Sequence, residues 1–467
     1  MERRIRCPTW TRSQSPTRRY RGVRPPPPDA VYTPIDVTSV ATNLEMAKDA
    51  RRQGDMPATT LVAVMLAVFT VSLGYGVVLP LLPSLTERSL GTGASAAQVA
   101  RNTGLLSSVY GVALFLFASA WGRLSDRRCR RGVLLIGLFG FAGTMLFFSF
   151  FESLASVYAE RFLSGMFASA VTPVASAVVT DLAPTAQRRA RQLAFVSTAG
   201  IGGVLLGPTL GVFIIRVAGE LFGDSRSGPV STPLVITAVL AVVAGIAVAL
   251  AVRETQDRDA HTPASVSVEE APRVVPRLLF LAFIVAAAIG SFHVGLAVQG
   301  KQDPAPTSYQ LAVMFTECSV IMLVAQALVF SPLVEPDTTR WLVAPAFAVL
   351  AAALFLVPPA SNVALMLSIV GAVAISAGIL SPILTYWISA NAGPARGAEL
   401  GKQTAVGSLG LAVGSALAGL LRGFSALPHA SFAATGGLVV LGVVLSAGLP
   451  RRLGRKPARG EATAPRP

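Results

Sequence analysis

The chain has 467 residues, a mean hydropathy of +0.61, and 52% hydrophobic against only 13% charged residues. Soluble domains carry about a quarter charged residues, so a water-covered surface is excluded for most of the length. The net charge of +15 brings nucleic acid to mind, but the charges are distributed as topology signals, so no nucleic-acid partner is expected.

In chain order, residues 1–57 come first. The stretch RRIRCPTWTRSQSPTRRYRGVRPPPP is Arg- and Pro-rich, has no apolar signal core, and is expected to be disordered. It reads either as a cytoplasmic arm touching anionic lipid or as a misassigned start. The second reading is favoured, because MAKDARRQGDMPATTL is already a complete lead-in from Met46 or Met56. Twelve apolar runs of about 20 residues follow, the length a helix needs to cross a bilayer core: 59–82, 102–121, 132–151, 155–178, 190–216, 232–252, 278–298, 308–330, 341–358, 362–388, 402–422 and 431–449. A polar segment with prolines, RETQDRDAHTPASVSVEEAPRVVPR, divides them six against six. The expected organisation is a tail (1–57), a six-helix bundle (58–252), a cytoplasmic linker (253–277), a second six-helix bundle (278–449) and a basic tail (450–467).

Alternate connections collect 32 of the 39 Lys and Arg residues on one side of this arrangement. Six fall on the other side (Arg88, Arg101, Arg216, Arg226, Lys301, Arg422), and Arg161 lies inside the fourth run. The positive-inside rule then places both termini in the cytoplasm of a multi-pass plasma (inner) membrane protein.

Individual runs carry chemistry. The first has Tyr75 and no acidic residue; the second has Tyr110. Between runs 2 and 3 stands GRLSDRRCRRG, residues 122–132. Gly122 there would let two helices approach closely, and Asp126 at a helix end can be held by a facing helix N-terminus and by arginines. The fourth run contains RFLSG (161–165), with Arg161 about seven residues from its outer end, roughly 10 Å deep at the helical rise. A charge at that depth faces a cavity or a partner; the competing reading is a snorkelling Arg.

The fifth run contains GVLLGPTLG, residues 203–211. Gly200, Gly203, Gly207 and Gly211 share one face, where small residues let backbones touch. Pro208 frees a carbonyl and bends the helix. Such a seam is expected to pack on the neighbour in the opposite half. A shift of 207 residues lays STAGIGGVLLGPTLG over TAVGSLGLAVGSALA (404–418), matching Gly200, Gly203 and Gly207 to Gly407, Gly410 and Gly414. Runs 5 and 11 are thus equivalent members of two related halves, as in many transporters.

Run 7 has His293 in its outer third, and run 8 has Glu317 about nine residues in. Both are proton-coupling candidates, since a carboxyl in a cavity can take up and lose a proton and histidine titrates near neutrality. For Glu317 a structural hydrogen bond is the competing reading. Candidate cavity residues are Tyr75, Tyr110, Gln326, Tyr386 and Trp387, whose aromatic members suit amphipathic or cationic organic ligands. Cys7, Cys129 and Cys318 are scattered and the three histidines lie far apart, so no metal site or disulfide framework is expected. No ATP-binding loop, nucleophile elbow or zinc-binding helix motif occurs; the chain is not expected to be an enzyme or to carry a cofactor.

These motifs resemble the major facilitator superfamily. GRLSDRRCRRG is similar to its loop signature G-x-L-a-D-r-x-G-r-k, with Gly122, Leu124, Asp126, Arg127, Arg130 and Arg131 fitting and Cys129 replacing the second Gly. SPLVE (331–335) is its weak repeat, with Glu335 in the Asp position. RFLSG is similar to R-x-x-q-G, and GVLLGPTLG to the g-x-x-x-G-P-x-x-G of the drug/proton antiporter branch. The resemblance implies an all-α membrane protein of 12 transmembrane helices in two pseudo-symmetric six-helix bundles. It implies a cytoplasmic latch at the loop signature and association of Arg161 with proton transfer. It also implies proton-coupled efflux of small organic compounds by alternating access, with substrate, protons and the bilayer as partners and a monomer as the working unit. A metabolite or sugar importer or facilitator on the same fold is the alternative, which the Gly-Pro signature disfavours. A non-transporting membrane sensor is disfavoured because such proteins usually carry an added soluble domain.

Overall fold

A computed structural model describes residues 56–91, 93–127, 129–150, 153–183, 186–222, 228–252, 274–299, 308–329, 339–357, 362–391, 396–422 and 430–449. The N-terminal tail, the linker centre, the SPLVE repeat and the C-terminal tail lie outside them, as does the side chain of Asp126. The described residues form twelve helices and no strand: α1 Ala58–Leu90, α2 Ala96–Arg127, α3 Arg130–Phe148, α4 Leu154–Leu182, α5 Ala186–Phe222, α6 Gly228–Ala251, α7 Val274–Gln299, α8 Ser308–Val329, α9 Thr339–Leu356, α10 Val363–Asn391, α11 Arg396–Arg422 and α12 Ala430–Ala447. Eleven of them are long and apolar enough to cross a membrane; in α8 the apolar stretch is Val313–Val329.

Several helices outrun the apolar stretches that announced them, because capping chemistry rather than hydropathy sets their ends. In α1, the prolines of the Leu79–Pro83 segment tighten one turn into a 3₁₀ geometry at Leu79–Leu81 without ending the helix. It continues to Leu90 and stops at Gly91, whose φ of 84° is tolerated by glycine. The start of α2 is fixed by a reciprocal capping box. The Ser95 amide donates to Gln98 Oε1 (2.9 Å) and the Gln98 amide to Ser95 Oγ (3.2 Å). Ser153 and Asn362 accept the amides of Ser156 and Leu365 at the starts of α4 and α10. Prolines inside α4, α5, α6, α9 and α10 are tolerated because neighbouring helices and hydroxyl side chains can satisfy the freed groups.

The helices form two six-helix bundles, α1–α6 and α7–α12. The most extensive pairings are α1 with α5 and α7 with α11, which a six-helix shift exchanges. Between bundles, α2 meets α11 and α5 meets α8, again exchanged by that shift. Thr60 Oγ1 donates to the Ala251 carbonyl (2.7 Å), and Arg277 and Arg340 donate to the carbonyls of Gly448 and Leu449 (2.7 and 3.3 Å). The first turns of α1, α7 and α9 and the ends of α6 and α12 therefore share one side, hereafter the terminal side.

The glycines of α5 correct the expected role of the seam. A Cβ on Gly207 would stand 2.5 Å from Gly76 Cα, and one on Gly203 would stand 2.9 Å from Leu73 N and Ser72 Cβ. Gly200 and Gly211 also face α1, at Val68 and Val77. The seam thus seals α5 onto α1 inside one bundle and does not face the opposite half. In α11, Gly410 and Gly414 pack in the same way on Phe283, Ala286 and Ala287 of α7, so the internal repeat is a repeat of packing.

Contact between bundles uses other residues. A Cβ on Gly104 of α2 would stand 2.5 Å from Gly419 Cα of α11, and one on Gly111 would stand 3.0 Å from Ala412 Cβ. The Thr209 and Thr316 hydroxyls hydrogen-bond between α5 and α8. Gly104 and Gly111 lie in the first half of α2 and Gly419 near the end of α11, so these contacts lie on the side opposite the termini. A Cβ on Gly122, near the terminal-side end of α2, meets nothing within 4 Å among the described residues. Among the described residues the close approach expected there is not found, and the close contacts of α2 with the other bundle lie at its other end.

Candidate functional site

A cavity of about 390 Å³ lies between the bundles, within the range of small-molecule sites. On the N-terminal side its wall comes from α1 (Val68, Ser72, Tyr75, Gly76, Leu79), α4 (Thr172, Ser176) and α5 from Val196 to Pro208. The other bundle supplies Ile289 and His293 from α7, Phe315, Cys318, Ser319 and Met322 from α8, and Leu411 from α11. On α1 and α8 these residues recur every three or four positions, which is one helical face. Pro208 ends the α5 wall near the Thr209–Thr316 contact.

The wall is apolar with a few polar points. Two of its hydroxyls are already committed: Ser176 donates to the Thr172 carbonyl (3.0 Å) and Ser319 to that of Phe315 (2.6 Å). Two polar atoms are buried and have no hydrogen-bond partner among the described residues, Tyr75 Oη and His293 Nδ1. They belong to the first helix of each bundle. Such buried groups usually have partners, and an exception calls for an explanation.

Behind Tyr75 lies a buried charge pair. The Tyr75 ring stacks on Tyr110 at 5.1 Å, and the Arg161 guanidinium carbon lies 5.5 Å from the Tyr110 ring centre. Arg161 is 2% exposed and is held by its chain neighbour: Nε donates to Glu160 Oε2 (2.5 Å) and Nη2 to Oε1 (2.6 Å). This geometry rules out the snorkelling reading of Arg161. A Cβ on Gly165 would stand 2.7 Å from the Tyr110 carbonyl; glycine there lets α4 approach α2 and bring Arg161 to the ring. Glu160 was not singled out from sequence, although an acid beside a base in an apolar run is a readable signal.

Of the other candidates, Tyr110 is buried behind Tyr75 and Gln326 is buried in α8. Tyr386 is 40% exposed and packs edge-on against Trp387, whose indole donates to Thr339 Oγ1 (3.1 Å). None of these four lines the cavity: the aromatic pair is drawn to the α9–α10 contact by its hydrogen bond. Glu317 points away as well. Its Oε1 lies 3.6 Å from the position of a Cβ on Gly371 of α10, and its Oε2 is buried without a partner among the described residues. His293 packs instead on Phe292 and Phe315, with ring centres 6.3 and 6.0 Å away, so the two coupling candidates do not meet. Sequence reading missed the small polar residues of the wall, Ser72, Thr172, Ser176, Ser197 and Ser319; they lie on four helices, and only Thr172 and Ser176, one helical turn apart, form a local pattern.

In the loop signature, Arg130 is bonded to Asp181 at the end of α4 and donates to Ser125 Oγ of α2 (3.1 Å). Leu124 packs on the core and Arg127 is exposed. The charges described here tie α2, α3 and α4 together within one bundle.

An apolar chamber between two related bundles, whose close contacts among the described residues lie on the side away from the termini, is the arrangement of a membrane carrier. The sequence comparisons agree. Residues 64–399 match the family model "Major Facilitator Superfamily", and the chain belongs to that superfamily of carriers, which are not enzymes. It is 24% identical over 392 residues to "Multidrug resistance protein 2" of Bacillus subtilis, covering 83% of this chain and 94% of that protein. Against "Tetracycline resistance protein, class B" of Escherichia coli it is 29% identical over 48% of this chain and 52% of that protein. Among solved structures, the human organic anion transporter MFSD10 superposes with a TM-score of 0.62 at 20% identity, over 84% of this chain and 100% of that one. An inward-facing, occupied bacterial homologue of the human lysosomal transporter Spinster gives 0.62 at 14% identity, over 83% and 95%. The structural likenesses carry the fold alone.

Proposed function

We propose that the protein is a proton-coupled exporter of small organic compounds, working as a monomer in the plasma membrane with both termini in the cytoplasm. The observation that carries this reading is the cavity itself, mostly apolar, between bundles that touch on the side away from the termini. With the terminal side cytoplasmic, an orientation that the basic connections support, the described state is inward-facing and collects substrate from the cytoplasm. Rocking the bundles opens the far side and closes the terminal side. Glu317 is the proposed proton carrier, since one oxygen of its half-buried carboxylate is shielded without a partner among the described residues and it lies on α8, the helix that contacts α5 across the interface. Similarity to proteins named for multidrug and tetracycline resistance supports export over import.

The test is dye accumulation in everted membrane vesicles energised by a proton gradient, with and without an uncoupler. Vesicles holding the protein are expected to accumulate the dye, and the uncoupler to abolish this. Accumulation no greater than in control vesicles, or equal after uncoupling, removes the reading.

A further inference from the structure

We propose that the cavity selects uncharged aromatic molecules carrying hydrogen-bonding groups, anchored by Tyr75 and His293, and discriminates against permanent cations. This rests on and sharpens the export reading, which left ligand charge open. None of the described wall residues is Asp, Glu, Lys or Arg. A permanent cation entering would lose its hydration with no counter-charge to replace it, a loss that exceeds what an aromatic face returns. The best-placed rings are also engaged. Tyr75 stacks on Tyr110, and Tyr110 already receives the internal cation Arg161. Of the charges close to that wall, Glu160 and Arg161 are buried and bonded to each other, and Glu317, the chain neighbour of the wall residue Cys318, is turned toward Gly371. What the wall offers is apolar surface, the ring of Phe315, and the side chains of Tyr75 and His293, whose Oη and Nδ1 are closed to solvent and have no partner among the described residues, so that a ligand reaches them when the groups covering them shift. A planar ligand with a carbonyl or N–H at its rim satisfies them; a quaternary ammonium satisfies neither. Because the two anchors sit on different bundles, a ligand bonded to both senses their relative position.

The test uses two probes of the same three-ring skeleton, acridone (uncharged, one carbonyl and one N–H) and N-methylacridinium (permanently cationic). Equilibrium dialysis against the purified full-length protein in nanodiscs reads binding without any gradient, so a failed transport assay and a failed preference are separate results. Acridone is expected to bind at least tenfold more tightly than the cation. Tyr75→Phe keeps the stack on Tyr110 and removes only the hydroxyl; it should weaken acridone about fivefold, or about 1 kcal/mol, and leave the cation unchanged. His293→Phe should act likewise, and His293→Gln, which restores a hydrogen-bonding side chain, should recover part of the loss. Equal or tighter binding of N-methylacridinium, no saturable binding of acridone, or Tyr75→Phe and His293→Phe proteins that fold and bind acridone as the wild type does would overturn the proposal.

Discussion

Gly207→Ala tests the seam between α5 and α1. The added methyl would stand 2.5 Å from Gly76 Cα and 2.6 Å from Val77 N. Both are backbone atoms, so no side chain can rotate away. Ordinary contact begins near 3.4 Å, so α5 must retreat by about 0.9 Å, the difference of those two distances. A gap of 0.5–1 Å forfeits about a quarter to a half of each flanking dispersion contact, including those of Gly203 on Ser72 and Leu73. Overpacking of this kind costs about 1–3 kcal/mol, offset by about 1 kcal/mol from the better helix propensity of alanine. Gly202→Ala supplies the control: a Cβ there meets nothing within 4 Å, so only the propensity gain applies. The expected outcome is a Gly207→Ala protein less stable than Gly202→Ala by about 1–3 kcal/mol, read by thermal denaturation in one detergent, with slowed transport. Equal stability of the two variants would refute the packing argument.

Three further outcomes follow from named contacts. Removing one partner of the buried pair, by Glu160→Gln or Arg161→Gln, should cost about 3–5 kcal/mol; the double variant should be less destabilised than the sum, and additive effects in a double-mutant cycle would deny the coupling. Glu317→Gln should abolish uncoupler-sensitive export while expression is kept, and full activity in that variant ends the proton role of Glu317. Cys318 lines the cavity, so with Cys7 and Cys129 replaced by serine it should react faster with a membrane-impermeant thiol reagent in everted than in right-side-out vesicles. The opposite order would put the open side on the wrong face.

The fold was legible because membrane helices announce themselves by length and apolarity, and because basic residues fall on alternate connections. Helix ends were less so. The α2 start depends on the Ser95–Gln98 capping box and the α1 end on Gly91, and neither adds to hydropathy. The glycine stripe of α5 correctly indicated close backbone contact, but a stripe does not name the helix it meets. α1 and α8 both lie against α5, and only the packing assigns Gly203 and Gly207 to α1. Arg161 was marked by its improbable location, whereas its partner Glu160 lies next to it in sequence, where side chains on a helix normally diverge. The cavity wall was the least legible part. Its serines and threonines look like ordinary helix-packing residues, while the conspicuous Tyr386 and Trp387 serve an intra-bundle contact.

The central claim is that the two bundles separate on the far side during each cycle. Thr209 and Thr316 touch across that interface, so cysteines at both positions, in a chain with Cys7, Cys129 and Cys318 replaced by serine, can be joined by oxidation. The account predicts that the oxidised protein stops accumulating dye in energised vesicles and that a reductant restores it. Undiminished transport by a fully cross-linked protein would contradict the account.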